Sequence, residues 1–271
     1  TGLIVTSDGD IVTNAHVIGD AETVHVRLIG ESEPRLAVVV AADATRDVAL
    51  LRLDVDGLSA ATFAAPDDVR LGDEVLAIGY ALDLDGDPTV TLGIVSSLDR
   101  TLATETGSLK GLIQTDAAVS SGNSGGPLVD ALGHVVGLTT LASSGGLGTT
   151  ANGLGFAIST AELLPTIEQL RGKANGVVLE SGYLGVQLER RIDGGSGAQV
   201  GKVFAGSAAE TAGIKVGDVV VAVDGEPITG QAALIATIRD LAPGDSTTVS
   251  VVRDGRAFDV TAVLGERPPD S

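Results

Sequence analysis

Ser124 stands in the run Gly122-Asn123-Ser124-Gly125-Gly126-Pro127, a serine wrapped in glycines just ahead of an apolar strand. Glycines allow positive φ and let the amides around the serine converge on one point, as a developing oxyanion requires. The same composition also makes ordinary turns, so the run alone leaves both readings open. Acyl transfer by a serine needs a histidine base and a carboxylate to orient it, and the chain has only 3 histidines. His25, in Thr23-Val24-His25-Val26-Arg27, reads as a solvent-facing strand position, and His134, in Gly133-His134-Val135-Val136-Gly137, as a turn-edge residue. His16 differs, because it follows an apolar strand and Thr13-Asn14-Ala15 and precedes Val17-Ile18-Gly19, which places it on a short turn at a strand end. Asp47 lies between the polar segment Asp43-Ala44-Thr45-Arg46 and the apolar run Val48-Ala49-Leu50-Leu51. A carboxylate entering a buried strand is costly without a partner, so Asp47 either caps a turn or holds an imidazole. His16, Asp47 and Ser124 follow in that chain order, each at the edge of a strand-like run.

These side chains must be positioned by short elements. From Thr1 to about Ile158 the chain alternates brief apolar stretches with Gly, Asp and Pro turns, the pattern of an all-β barrel or sandwich. Ser159-Thr160-Ala161-Glu162 has the form of a capping box and opens a helix expected to run to about Leu170, with Pro165 in its first turns. Arg171 to Gly176 reads as a linker, and the length of 271 residues suggests two domains. The domain bounds expected are 1–171, a linker over 172–178, and 179–267.

With 36 acidic against 17 basic residues the net charge is −19, which argues against nucleic acid and anionic membranes as partners. The absence of cysteine rules out disulfides and thiolate chemistry and leaves the compartment open. No apolar run is long enough to span a bilayer. Asp83-Leu84-Asp85-Gly86-Asp87-Pro88 alternates carboxylates, but it has Pro88 and Ile94 where a calcium loop needs glycine and glutamate. A hairpin turn between strands ending near Tyr80 and starting near Thr89 is the simpler reading, and no metal or cofactor is expected.

Four segments carry a resemblance: IVTNAHVI (11–18), RDVALLRLD (46–54), QTDAAVSSGNSGGPLVD (114–130) and GLGFAI (153–158) resemble the HtrA/Deg family of trypsin-like serine proteases. The resemblance implies a mainly β protein, with a trypsin-like double β-barrel followed by a smaller α+β PDZ domain. It implies His16 as general base, Asp47 as its orienting partner and Ser124 as nucleophile, with Gly122, Asn123 and Ser124 forming the oxyanion hole. In trypsin-like enzymes that cut after Lys or Arg, an aspartate lies six residues before the nucleophile; here that residue is Ala118, so the pocket is expected to take small uncharged side chains. Its walls are expected to include Ser120, Ser121, Leu138 and Thr139. Many relatives carry Asn-Pro at the Ser120-Ser121 position, and a Gly-Asn-Pro-Phe-Gly type segment near the acidic turn.

Gly182-Tyr183-Leu184-Gly185-Val186 resembles the carboxylate-binding loop of a PDZ domain, where successive amides cradle a peptide's terminal carboxylate. Gly206-Ser207-Ala208-Ala209, Ala212 to Asp218, Val223-Asp224-Gly225 and the helical run Gln231 to Leu241 follow in PDZ order. The peptide would add as a strand beside Val186 to Glu189 and rest its last side chain on Leu234 and Ile238, which are equally ordinary core candidates. The resemblance further implies an ATP-independent, extracytoplasmic endopeptidase of protein quality control. Its partners would be misfolded polypeptides and peptides with free C-termini, and it would act as a homotrimer with a signal or membrane anchor upstream. A chaperone with little proteolysis and a PDZ scaffold are the alternatives.

Overall fold

The computed structural model describes residues 1–80, 86–104, 107–140, 154–174 and 181–266. The chain divides into two compact units, Thr1–Val178 and Leu179–Ser271. The acidic turn at Asp83 to Asp85 lies outside the described residues, between strands that end at Gly79 and start at Thr89.

The first unit holds two β layers. One is a five-stranded antiparallel sheet of β1 (Leu3–Ile4), β2 (Asp10–Thr13), β3 (Thr23–Val26), β4 (Arg35–Asp43) and β5 (Val48–Leu53), in the order β1-β2-β5-β4-β3. The other is a closed barrel of β6 (Glu74–Gly79), β7 (Thr89–Thr104), β8 (Gly107–Thr115), β9 (Pro127–Asp130), β10 (Val135–Thr140) and β11 (Gly155–Ser159). The barrel order is β10-β11-β8-β7-β6-β9, and the first sheet is not closed by hydrogen bonds. A one-turn helix, α1 (Ala15–Ile18), follows β2.

The helix α2 (Thr160–Ala174) covers the join of the two layers. Leu163, Ile167 and Leu170 recur at i, i+4 and i+7, so they form one buried stripe. They share a core cluster with Val12, Val48 and Leu50 of the first sheet and Leu112, Val129 and Leu138 of the barrel. Strands β2, β5, β9 and β10 therefore all contribute to one shared core.

Residues 172–174, expected to begin the linker, belong to α2 instead. Gly172 weakens a helix by about 1 kcal/mol relative to alanine, but tertiary anchoring overrides so small a preference. Arg171 Nε donates to buried Asp10 Oδ2 at 3.0 Å, while Leu170 is 1% exposed, so the last turn is fixed on both sides. Pro165 sits inside the helix without breaking it.

The second unit is built on β12 (Val186–Glu189), β13 (Ala198–Val203), β14 (Val219–Val223), β15 (Glu226–Pro227), β16 (Ser246–Arg253) and β17 (Arg256–Val263). The main path runs β12-β13-β14-β16-β17, with β15 paired to β14, so β12 lies at an edge. Two helices, α3 (Ala208–Thr211) and α4 (Gln231–Arg239), pack on this sheet over a separate core that includes Leu184, Val200, Val249, Leu234 and Ile238. Asp218 is fully buried and bound by the Arg253 guanidinium at 2.6 and 2.7 Å, which ties the β14 entry to β16.

Candidate active site

The polar segment before Asp47 folds into a tight local knot. Asp43 Oδ1 accepts from the Thr45 amide at 2.9 Å, the Thr45 hydroxyl at 2.6 Å and the Arg46 amide at 3.0 Å, and Oδ2 pairs with Arg46 Nη1 at 2.8 Å. Burial pushes the Asp43 carboxyl up, but the hydrogen bonds from Thr45 and Arg46 and the Arg46 charge outweigh it and hold the pKa down at about 2. Leaving this turn, Asp47 takes φ of +56°, a left-handed conformation that aspartate tolerates better than most side chains. That twist turns its carboxylate away from β5 and toward α1.

There it meets His16. Asp47 Oδ1 accepts from the His16 backbone amide at 3.0 Å, and His16 Nδ1 lies 2.9 Å from both carboxylate oxygens. Asn14 precedes α1 yet its side chain does not cap the helix; its Nδ2 donates to the Asp47 carbonyl at 2.9 Å. The Thr140 hydroxyl donates to Asp47 Oδ2 at 2.8 Å from β10, linking the pair to the barrel. The hydrogen bond to Asp47 raises the His16 pKa above its ordinary value, against an opposing effect of burial. Nδ1 is thereby committed to the carboxylate, which leaves Nε2 as the ring nitrogen free to move a proton.

The serine loop packs beside this pair. Thr139, next to Thr140, has its hydroxyl oxygen 2.5 Å from the Asn123 carbonyl and 2.9 Å from the Gly126 carbonyl, which share its one proton, and its own carbonyl accepts from the Gly125 amide at 2.9 Å. Gly125 has φ of +80°, and a Cβ there would collide with the Thr13 hydroxyl, so only glycine lets Ser124 approach the end of β2. Ser124 is 3% exposed, and its Oγ has no hydrogen-bond partner among the described residues. The structure thus joins His16 to Asp47 and brings the serine loop against β2 and β10, but it does not form a His16–Ser124 hydrogen bond. Such bonds are commonly long before substrate binds. The Gly122 and Ser124 amides meet no acceptor among the described residues, and Gly122 has φ of +94°.

The expected pocket residues separate into two groups. Ala118 and Ser121 are exposed and Ser120 is half-buried, on the segment that leads into the serine loop. The Thr91 hydroxyl holds the Ala118 carbonyl at 2.8 Å, and Asp116 Oδ1 accepts from the Ile94 amide at 2.7 Å, which docks this segment on β7. Leu138, expected as a pocket wall, is instead fully buried in the shared core, because every residue of β10 is covered by its neighbours. Thr139 is equally buried, and its hydroxyl supports the serine loop from beneath.

Sequence reasoning missed the supports of Asp43, Asn14, Thr139 and Thr140 as a set. The signal within reach was Asp43, four residues before Asp47 and ahead of Thr and Arg, an arrangement that favours side-chain bonds to the following amides. His25 is exposed on β3, and His134 Nδ1 lies 3.2 Å from Asp130 Oδ2 at the β9–β10 turn.

In the second unit, Gly185 has φ of +81°, and a Cβ there would overlap Ser207 Cβ. The Tyr183 amide donates to the Gly265 carbonyl at 2.9 Å, so it is unavailable to a ligand, whereas the Leu184 and Gly185 amides meet no acceptor among the described residues. Val186 opens the edge strand β12. Leu184, Leu234 and Ile238 are 3%, 2% and 7% exposed and belong to the core of this unit. Leu234 and Ile238, expected to touch peptide, spend most of their surface on that core, because α4 must cover the sheet on which it lies.

Comparison with known proteins agrees with both units. Residues 1–138 match the trypsin-like peptidase domain, and residues 182–264 match the PDZ domain. A probable periplasmic serine endoprotease, DegP-like, of Ectopseudomonas mendocina (strain ymp) is 37% identical over 281 residues, covering 100% of this chain and 57% of that protein. The DegP-like protein of Chlamydia trachomatis serovar D is 34% identical, with 100% of this chain and 54% of that protein covered. The chain thus spans little more than half the length of these relatives. Among solved structures, the HtrA-type protease AlgW with a decapeptide superposes with a TM-score of 0.75 at 30% identity, over 99% of this chain and 82% of that one. The serine endoprotease from Yersinia pestis gives a TM-score of 0.69 at 32% identity, over 98% and 88%. Two matched domains in the same order, a shared fold along the whole chain and a histidine–aspartate pair beside a glycine-bound serine lead to one conclusion: this chain belongs to the HtrA family of trypsin-like serine proteases with a PDZ domain.

Proposed function

We propose that the chain is an ATP-independent serine endopeptidase that cuts misfolded or exposed polypeptide. The observation that carries this reading is the His16–Asp47 pair at 2.9 Å beside a buried Ser124 whose own amide, with that of Gly122, is unspent. Ser124 Oγ attacks the scissile carbonyl while His16 Nε2 takes its proton, and the carbonyl oxygen becomes an oxyanion facing the Gly122 and Ser124 amides. Collapse of the tetrahedral intermediate breaks the C–N bond, and His16 returns the proton to the leaving amine. Water, deprotonated by His16, then attacks the acyl-Ser124 ester; the ester C–O bond breaks, the acid leaves and His16 returns the proton to Ser124 Oγ. Asp47 holds the imidazole tautomer and stabilises the imidazolium throughout.

Ala118 at the position expected for the pocket floor carries no charge, which supports cleavage after small uncharged side chains. In the second unit, free peptide C-termini bind as a strand beside β12, with the carboxylate on the Leu184 and Gly185 amides. The edge position of β12 and those two unspent amides support this reading. The names of the relatives support an extracytoplasmic site of action, and the family resemblance supports a trimer and an upstream signal or anchor. No helix among the described residues is long and apolar enough to cross a membrane.

Casein cleavage by the wild type and by Ser124→Ala tests the enzymatic reading. It predicts cleavage that disappears in the variant, and equal cleavage by both would refute it. A second reading, a protease-like chaperone that holds substrates without cutting, draws on the unpartnered Ser124 Oγ; wild type that binds unfolded casein but leaves it intact would favour it. For the second unit, a peptide with a free C-terminus should outbind its amidated form, and equal affinities would remove the carboxylate cradle.

A further inference from the structure

Thr1 is wedged between the end of β6 and the serine loop. Its hydroxyl donates to the Gly122 carbonyl at 2.5 Å and accepts from the Tyr80 amide at 3.0 Å, while its carbonyl accepts from the Thr13 hydroxyl at 2.7 Å. The surroundings leave little spare room. A Cβ on Gly79 would lie 3.1 Å from Thr1 Oγ1 and 2.8 Å from Asn123 Cα, and one on Gly126 would lie 3.2 Å from Thr1 Cγ2. Methyl and hydroxyl therefore occupy a fitted recess. The bonding has one possible direction: a backbone amide can only donate, so the Thr1 oxygen must accept from Tyr80 and pass its own proton to Gly122. Chains of hydrogen bonds aligned in this way polarise and strengthen one another.

The carbonyl held by Thr1 belongs to the peptide joining Gly122 to Asn123. The other side of that peptide is held too, because the Asn123 amide donates to the Ser120 carbonyl at 3.1 Å. The neighbouring plane carries the Gly122 N–H, and Gly122 lies at φ of +94° with no side chain to restrain rotation. Clamping one plane limits how far the other can turn.

We propose that Thr1 is a positioning residue for catalysis, its hydroxyl fixing the Gly122 peptide so that the Gly122 N–H stays aimed at the oxyanion. This rests on the reading of the Gly122 amide as an oxyanion donor. Tyr80 and Thr13 anchor Thr1 to the two β layers of the first unit, so the aim of the donor depends on the seam between them.

The test compares Thr1→Val, which keeps the branched shape and loses the hydroxyl, with Thr1→Ser, which keeps the hydroxyl. Thermal melts first set an assay temperature at which both variants are folded. With a chromogenic peptide substrate, Thr1→Val should lower kcat by about 10- to 100-fold, less than or equal to the loss of a whole oxyanion donor. KM should stay within about threefold, and affinity for a peptide boronate, whose adduct is tetrahedral, should fall in step with kcat/KM. Thr1→Ser should restore kcat to within about threefold of wild type. Wild-type kcat/KM in Thr1→Val overturns the proposal, as does equal impairment in Thr1→Ser or a loss confined to KM. A Ser124→Ala variant that still cleaves would instead remove the reading beneath it, whatever Thr1→Val does.

Discussion

The two halves of the candidate active site differ in how their polar groups are spent. On the base side the Asp47 carboxylate receives bonds from the His16 amide, the His16 ring and Thr140, and Asn14 takes the Asp47 carbonyl. On the nucleophile side, Ser124 Oγ and both side-chain polar atoms of Asn123 are buried without partners among the described residues and the Gly122 and Ser124 amides are unspent there, whereas on the base side only Asn14 Oδ1 is left in that state. Buried polar groups left unpaired are costly, and they are rare outside sites that await a ligand. The difference teaches a division of labour. The base is assembled by contacts that exist before substrate, while the serine loop keeps bonding capacity for the oxyanion and is held in shape by Thr1, Thr139, Ser120 and its own Gly126–Asn123 bond.

The comparison breaks most severely at Asp47. Asp47→Asn should cut kcat by about 10⁴-fold, because the amide presents the wrong partner to His16 Nδ1 and favours the wrong tautomer. The pH profile sharpens the same point. Protonated His16 cannot accept the serine proton, so kcat/KM should fall as pH drops through a pKa raised above 6.5 by the hydrogen bond to Asp47. In Asp47→Asn the acid limb should move to lower pH, and a limb that stays in place would detach the pKa from Asp47.

On the nucleophile side the largest expected loss short of Ser124 itself comes from Thr139→Val. This removes the hydroxyl from the Asn123 and Gly126 carbonyls, which keep their bonds from the Gly126 and Thr139 amides, at a cost of about 0.5–1.5 kcal/mol. Urea unfolding should detect that cost, and kcat should fall while the His16 pKa is unmoved. A shift in that pKa would mean that the two halves are not separately built.

The smallest effect on kcat is expected at Asp43→Asn, which loosens the turn that delivers Asp47. The folded carboxyl titrates at about 2 against an ordinary 3.8, so its contribution is present above the unfolded value and lost as pH falls through the folded one. Wild type should exceed Asp43→Asn by about 2 kcal/mol near neutrality, with the difference shrinking between about pH 4 and pH 2. A constant difference across that range would show that Asp43 acts by shape alone.

The same comparison explains what the chain's residue pattern could reveal. His16, Asp47 and Ser124 were legible as candidates because they follow in that chain order at strand edges and within motifs that resemble one family, although each alone also suits an ordinary turn. Thr1, Thr139 and Thr140 were not, because threonine is common in strands and its hydroxyl acquires meaning only from a partner brought near by the fold; Thr140 is 93 positions from Asp47. Leu138, Leu234 and Ile238 show a related ambiguity. An apolar residue on a strand or helix reports burial, but not whether the neighbour is the core or a ligand. Gly172 pointed to a linker, and only Asp10, 161 positions away from Arg171, shows why the helix continues.

Labelling with a peptidyl fluorophosphonate, followed by peptide mapping, tests the account's central claim most directly. Phosphonylation requires a serine oxygen activated by a base and a phosphoryl oxygen seated among oxyanion donors. The account predicts a single adduct on Ser124, formed in wild type and lost in His16→Ala. An adduct on another residue, or one that forms on Ser124 at the same rate without His16, would contradict it.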